Sequence, residues 1–171
     1  MEPQELNLYL VDDNRSSVNA LKHYLTEHFE NQLATSTFFD GESCIQNINE
    51  KTDMVILDYF FNGINGNEIM RTIKRINPQI EVIMLSGNAD LETAIESYKL
   101  GAKNYIVKGK KALRKISILI WSNLDQPLSV IGKIDLYKFG SMIIESLLSI
   151  GVTLNLIFNN NILNKWKLQK R

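Results

Sequence analysis

The chain switches repeatedly between two hydrophobic periods. Short continuous apolar runs, Leu8-Tyr9-Leu10-Val11, Met54-Val55-Ile56-Leu57, Val82-Ile83-Met84-Leu85 and Tyr105-Ile106-Val107, have the length and β-branched content of buried strands. A further run, Leu33 to Phe38, alternates apolar residues with Thr35 and Thr37 and predicts a half-buried strand. Between the runs the spacing changes to three and four. Val18, Leu21, Leu25 and Phe29 predict a first helix, and Asp40-Gly41 offers a cap for a second helix carrying Cys44, Ile45 and Ile48. Gly66 leads into Ile69, Ile73 and Ile76, a third helix that must stop before Pro78, because proline disfavours helical geometry in the residue before it. Asp90 can cap a fourth helix with Leu91, Ala94, Ile95 and Tyr98, closed by Gly101 as a left-handed stop. A fifth spans roughly Lys111 to Asn123, with Leu113, Ile116, Leu119 and Ile120 inward.

Strand and helix patterns in strict alternation predict an α/β fold, a doubly wound five-stranded parallel sheet with helices on both faces. Strands one, three and four are almost wholly apolar, as strands covered on both faces should be, whereas strand two is half polar and strand five is short. The order 2-1-3-4-5 follows. In such a sheet a ligand binds outside the carboxyl ends of the strands at the switch point, here between strands one and three.

Those strand ends carry chemistry. The first run leads into Asp12 and Asp13, the third strand ends on Asp58, the fourth on Ser86, and the fifth on Lys108. Taken singly, each is an ordinary turn, cap or solvated residue; their common register is the signal. Three carboxylates held close together either raise one pKa or bind a compensating cation. An all-oxygen set with no neighbouring His or Cys suits Mg²⁺. A carboxylate beside Mg²⁺ can act as a nucleophile toward phosphorus, which makes Asp58 the expected acceptor, Lys108 a compact cation for the phosphoryl oxygens, and Ser86 a hydroxyl donor to them.

Composition narrows the field. The 171 residues hold 19 basic and 19 acidic side chains, so overall charge does not point to nucleic acid. The balance conceals an asymmetry, with 13 basic and 16 acidic residues in 1–123 against 6 and 3 in 124–171. A lone cysteine, Cys44, allows no internal disulfide and fits a reducing compartment. The opening Met-Glu-Pro-Gln-Glu lacks the basic flank and apolar stretch of an export signal, so a cytoplasmic location is expected.

Across about residues 5 to 123 the chain resembles the receiver domain of two-component response regulators. LYLVDDN carries the acidic pair, MVILDYFFNGINGNEIM the phosphoacceptor and its loop glycine, VIMLSGNAD the hydroxyl, and LGAKNYIVK the aromatic and the lysine. The resemblance implies a flavodoxin-like fold, phosphorylation of Asp58 by a histidine kinase or phosphotransfer protein, and Mg²⁺ ligation by Asp13, Asp58 and the Phe60 backbone carbonyl with Asp12 assisting. It also implies phosphate contacts from Ser86 and Lys108, and a switch role for Tyr105. That switch would alter the face made by helix four, strand five and helix five, toward a protein partner or a second copy. Gly87 fits the small residue the family prefers after the hydroxyl. Three positions depart from the pattern. Asn62 and Gly109 stand where prolines are usual, and without a proline the Lys108-Gly109 peptide is expected to be trans. Phe60 places a bulky ring where a polar side chain is common, which predicts slow hydrolysis of an Asp58 phosphate.

The implied domains are 1–123, the receiver, and 124–171, a mostly helical extension. Leu136, Ile143, Leu147, Ile150 and Leu154 form a helical seam for docking or dimerisation. Phe139 to Phe158 followed by Lys165, Lys167, Lys170 and Arg171 also resembles a marginal membrane anchor, Val152, Leu154, Leu156 and Phe158 alternate like a strand, and a truncated end ranks third. The extension carries no helix-turn-helix or P-loop pattern, so direct DNA binding is not expected. Two rival functions are a degenerate receiver serving as a constitutive protein-binding module and an Mg²⁺-dependent phosphohydrolase. The latter usually shows Asp-x-Asp at its first strand, whereas the acids here are adjacent.

Overall fold

The computed structural model of the chain describes residues 5–61 and 64–124. Asn62, and every reading made for the extension beyond Leu124, lies outside the described residues. Five strands, β1 (Leu6–Val11), β2 (Leu33–Phe38), β3 (Met54–Asp58), β4 (Glu81–Ser86) and β5 (Asn104–Val107), form one parallel sheet in the order 2-1-3-4-5. Five helices connect and follow them: α1 (Arg15–Phe29), α2 (Gly41–Asn47), α3 (Gly66–Ile76), α4 (Leu91–Lys99) and α5 (Ala112–Asn123). A short antiparallel ribbon, Phe60–Phe61 against Ile64–Asn65, lies between β3 and α3 and was not foreseen from the apolar pattern.

β3 is buried throughout, and β1 and β4 at every residue but Asn7 and Glu81, because each side of the sheet has its own helical cover. On one side Leu8 and Leu10 of β1, Met54 and Ile56 of β3 and Ile83 and Leu85 of β4 pack with Val18, Leu21, Leu25 and Phe29 of α1 and Ile116 and Ile120 of α5. On the other, Tyr9, Val11, Val55, Leu57, Val82 and Met84 pack with Cys44 of α2 and Ile69, Met70 and Ile73 of α3. Alternate residues of one strand thus feed two cores, so the strands read as unbroken apolar runs.

Helix starts follow capping chemistry. The side chains of Asn14, Asp40, Asn65 and Asp90 accept hydrogen bonds from backbone N–H groups at the starts of α1, α2, α3 and α4, at 2.6–3.1 Å. At the other end α3 stops at Ile76, ahead of Pro78, and Gly101, with φ +103°, turns the chain after α4 as its position in the sequence implied.

The face that two helices present is set by more than their spacing. The apolar residues of α4 point outward, with Leu91, Ile95 and Tyr98 exposed by 72%, 45% and 49%, while Ser97 is its fully buried residue. On α5 the inward stripe runs through Ala112, Ile116, Ser117 and Ile120, so Leu113, expected inward, sits one residue further round and is 38% exposed.

Candidate functional site

Strand register brings the chemistry to one edge. Val11 lies opposite Leu57, Asp58 opposite Leu85, and Ser86 opposite Val107, so the residues that end or follow β1, β3, β4 and β5 emerge in a row at the carboxyl edge of the sheet. Carboxylate oxygens of Asp12, Asp13 and Asp58 come within 4.8 Å of one another. Asp12 and Asp58 are buried, and Asp13 is the more open of the three.

Lys108 spans the two buried acids. Its Nζ lies 2.8 Å from Asp12 Oδ2 and 2.9 Å from Asp58 Oδ1, which holds one cation between two anions that would otherwise repel. Burial disfavours the charge on Lys108, but hydrogen bonds to Asp12 and Asp58 outweigh it and raise its pKa. Burial also pushes the Asp58 carboxyl above its ordinary range; Lys108 opposes that rise and the charge of Asp12 reinforces it. The Lys108-Gly109 peptide is trans, as expected without a proline, and the amine still reaches both acids.

Surrounding contacts fix these side chains. The Asn14 N–H donates to Asp12 Oδ1 at 2.8 Å while the Asn14 side chain caps α1, so one residue orients both the acid and the helix that follows. Gly66 begins α3 directly beneath Asp58: its N–H donates to the Tyr59 carbonyl at 2.8 Å, and a Cβ there would stand 2.5 Å from the Asp58 carbonyl oxygen. Only glycine permits that approach. Ser86 is fully buried and its Oγ accepts from Asn88 N–H at 3.1 Å. The Tyr105 hydroxyl donates to the Asn88 carbonyl at 3.2 Å, and its half-buried ring meets Tyr59 edge-on, with centroids 6.4 Å apart. Burial raises the Tyr105 phenol pKa. Phe60 is 60% exposed, its ring edge-on to Tyr59, so it stands at the rim of the site. An added Cβ on Gly87 would touch nothing within 4 Å, which leaves the approach beside Ser86 open.

The structure therefore gathers Asp12, Asp13, Asp58 and Lys108 into one cluster, with Ser86 at the neighbouring strand end and Tyr105 linked to the loop after Ser86. Sequence reasoning missed the backbone contact of Asn14 and the carbonyl of Asn88. Neither has a side-chain signature that would have revealed it.

A family model for the response regulator receiver domain matches residues 8–117, more than half of the chain. The chain belongs to the response regulator receiver family. Among curated relatives, the DNA-binding transcriptional regulator NtrC of Klebsiella pneumoniae is 30% identical over 101 residues, 58% of this chain and 21% of that protein. The chain thus spans about a fifth of that relative's length. Among solved structures, a CheY-like receiver domain protein from Methanospirillum hungatei JF-1 has a TM-score of 0.62 at 22% identity, covering 71% of this chain and 95% of that one. The receiver domain of NtrX from Brucella abortus gives 0.59 at 29% identity, covering 66% and 94%. The receiver fold and its membership of two-component signalling are thereby established. Among the described residues, no helix is long and apolar enough to cross a membrane.

Proposed function

We propose that this receiver accepts a phosphoryl group on Asp58 from a phosphohistidine of a histidine kinase or phosphotransfer protein, and signals by changing a protein-binding face. The observation that carries the reading is the Lys108 ammonium seated between Asp12 and Asp58, with Asp13 completing an acidic cluster at the carboxyl edge of the sheet.

In the transfer an Asp58 carboxylate oxygen attacks phosphorus, the P–N bond to the donor imidazole breaks, and its electron pair stays on that nitrogen. Lys108 offsets charge on the phosphoryl oxygens, and Ser86 turns its hydroxyl toward them once they are in place. The all-oxygen set of Asp12, Asp13 and Asp58 fits Mg²⁺, which when bound would supply further charge neutralisation, and the family resemblance adds the Phe60 backbone carbonyl as a fourth ligand. Asp58 is modified by the reaction and later restored by water, so the protein is a phosphoacceptor switch and not an enzyme with an independent substrate.

The output face has support of its own. Apart from Phe60 and Ile76, the exposed large apolar residues among those described are Leu91, Ile95 and Tyr98 on α4, Val107 on β5 and Leu113 on α5. An apolar surface of this kind suits a protein partner or a second copy better than nucleic acid. We assign residues 1–123 to the receiver and 124–171 to an extension, with the receiver working in the cytoplasm.

Intact mass after incubation with Mg²⁺ and a small acyl phosphate tests the assignment. One phosphoryl adduct that is absent from Asp58→Asn is the expected result. Failure to form an adduct with either the acyl phosphate or candidate kinases would leave the constitutive binding module as the reading, and turnover of added phosphomonoesters would favour the phosphohydrolase.

A further inference from the structure

Helix α4 is docked in an unusual way. A surface helix normally turns its apolar stripe to the core, but α4 turns Leu91, Ile95 and Tyr98 to solvent and buries Ser97 completely. Its buried anchor is polar. Ser97 Oγ lies 2.9 Å from Oδ1 of Asn67, which is itself 2% exposed, and 2.9 Å from the carbonyl of Thr93 one turn back.

A serine has one hydroxyl proton and cannot donate to both acceptors. Either Ser97 donates to Asn67 and leaves the Thr93 contact unfilled, or the Asn67 amide turns so that its NH₂ donates to Ser97 and the hydroxyl serves Thr93. In the first orientation Asn67 Nδ2 is buried without a partner; in the second its oxygen takes that place. A buried amide with one end unused in either orientation is a costly way to join two helices, and an apolar pair of similar volume would avoid the cost.

The position of Asn67 gives that cost a purpose. It directly follows Gly66, whose Cα sits against the Asp58 carbonyl, and its own N–H is held by Asn65 Oδ1 at 2.8 Å. The next residue of α4, Tyr98, accepts the Tyr105 N–H at 3.2 Å, and Tyr105 reaches the Asn88 carbonyl beside Ser86. Two hydrogen-bonded routes therefore run from the strand ends to adjacent residues of α4: one from β3 through Gly66 and Asn67 to Ser97, the other from β4 through Asn88 and Tyr105 to Tyr98.

We propose that the Asn67–Ser97 hydrogen bond is a positioning contact that sets the resting place of α4 and couples it to the loop following Asp58, separately from the Ser86–Tyr105 route. Its coupling role rests on the reading of Asp58 as phosphoacceptor. A polar latch can exchange its partner for water when α4 shifts, at a cost on the scale of one hydrogen bond, whereas withdrawing a buried leucine would expose apolar surface and open a cavity, so α4 can move without disrupting the core.

The test is amide hydrogen exchange on the full chain, read helix by helix, for the wild type, Ser97→Ala, Asn67→Leu and the double variant, with Ser122→Ala on the exposed face of α5 as control. In the unmodified protein Ser97→Ala should speed exchange in α4 by about tenfold, the scale of one hydrogen bond, with α1 and the central strands unchanged. In the Asn67→Leu background the same change should have no effect on α4. Equal effects in both backgrounds, or faster exchange spread over the whole sheet, would overturn the latch. With Mg²⁺ and acyl phosphate, Ser97→Ala should form the Asp58 adduct to the same extent as the wild type while losing most of the accompanying change in α4 exchange. An unaltered change in α4 would overturn the coupling. If no protein forms an adduct, the reading of Asp58 fails, and the exchange comparison in the unmodified proteins still decides the latch.

Discussion

Gly66→Ala and Gly41→Ala make a matched pair, because each glycine is the first residue of a helix behind an Asx cap, Asn65 for α3 and Asp40 for α2. Gains from replacing glycine in a helix therefore cancel between them. What differs is the obstacle. At Gly41 an added Cβ meets Ile69 Cδ1 at 2.5 Å and Cγ1 at 2.8 Å, both on a side chain that can change rotamer for roughly 0.5–1.5 kcal/mol. At Gly66 the Cβ meets the Asp58 carbonyl oxygen at 2.5 Å and the Tyr59 Cα at 3.1 Å, and relief requires moving the end of a central strand. Carbon and carbonyl oxygen rest at about 3.3–3.6 Å, so the backbone must give by nearly an ångström. Overpacking of this kind costs about 1–3 kcal/mol, and rigid surroundings put Gly66→Ala near the upper end. With a urea slope of about 2 kcal/mol/M, the middle of the usual range, that is a midpoint lowered by roughly 1–1.5 M, against roughly 0.2–0.8 M for Gly41→Ala. Because the displaced atoms carry Asp58, the rate of adduct formation measured by intact mass should also fall for Gly66→Ala and hold for Gly41→Ala. Equal midpoints for the two variants would refute the argument that the Asp58 backbone is the obstacle.

Four further outcomes are expected. Asp58 has its pKa raised in the fold, so its proton is held more tightly there than in the unfolded chain; the associated stability is present below the ordinary value of 3.8 and is lost as pH rises through the folded pKa. Without divalent cations, Asp58→Asn should accordingly be more stable than the wild type at neutral pH, with the gap closing in urea titrations run below about pH 4. Mg²⁺ at ten times its dissociation constant should stabilise the wild type by about 1.4 kcal/mol, and thermal melts of Asp13→Asn should show that gain much reduced. Cys44 is fully buried and burial pushes its thiol up to about 12, so alkylation should be negligible in the native protein and should track unfolding across a urea series. Phe60 stands exposed at the rim of the site, and Phe60→Asn should shorten the lifetime of the Asp58 phosphate several-fold by mass or phosphate release, an effect on the scale of 1 kcal/mol in the barrier.

Legibility in the sequence followed how many constraints acted on a residue at once. Met54 to Asp58 had to be apolar on both faces and to end in an acid, so strand, position in the sheet and chemistry could all be read from five letters. Val18, Leu21, Leu25 and Phe29 likewise lie in one core as their spacing implied, because α1 covers a sheet that offers no other partner for that stripe. Phasing failed where a helix has a second reason to be apolar. Leu91, Ile95 and Tyr98 recur as a core stripe would, but a stripe only shows that one face differs from the others and does not say what covers it.

The contacts around Asp58 were legible in a similarly uneven way. Lys108, Asp12 and Asp13 carry charges that make sense only together, and strand register forced them to one edge, so their convergence was predictable without knowing any loop. Asn67 and Ser97 carry no such mark. Each is a common surface residue whose burial depends on the other, thirty positions away, and neither makes physical sense in the core alone. Asp58, whose burial raises its pKa, and Ser97, the hydroxyl that holds α4, are thus both polar groups that burial penalises. A fold that leaves an acid at the sheet edge and the polar anchor of α4 slightly unsatisfied needs only a small input at the first to shift the second. Binding of a cation or a phosphoryl group at Asp58 is an input of that size.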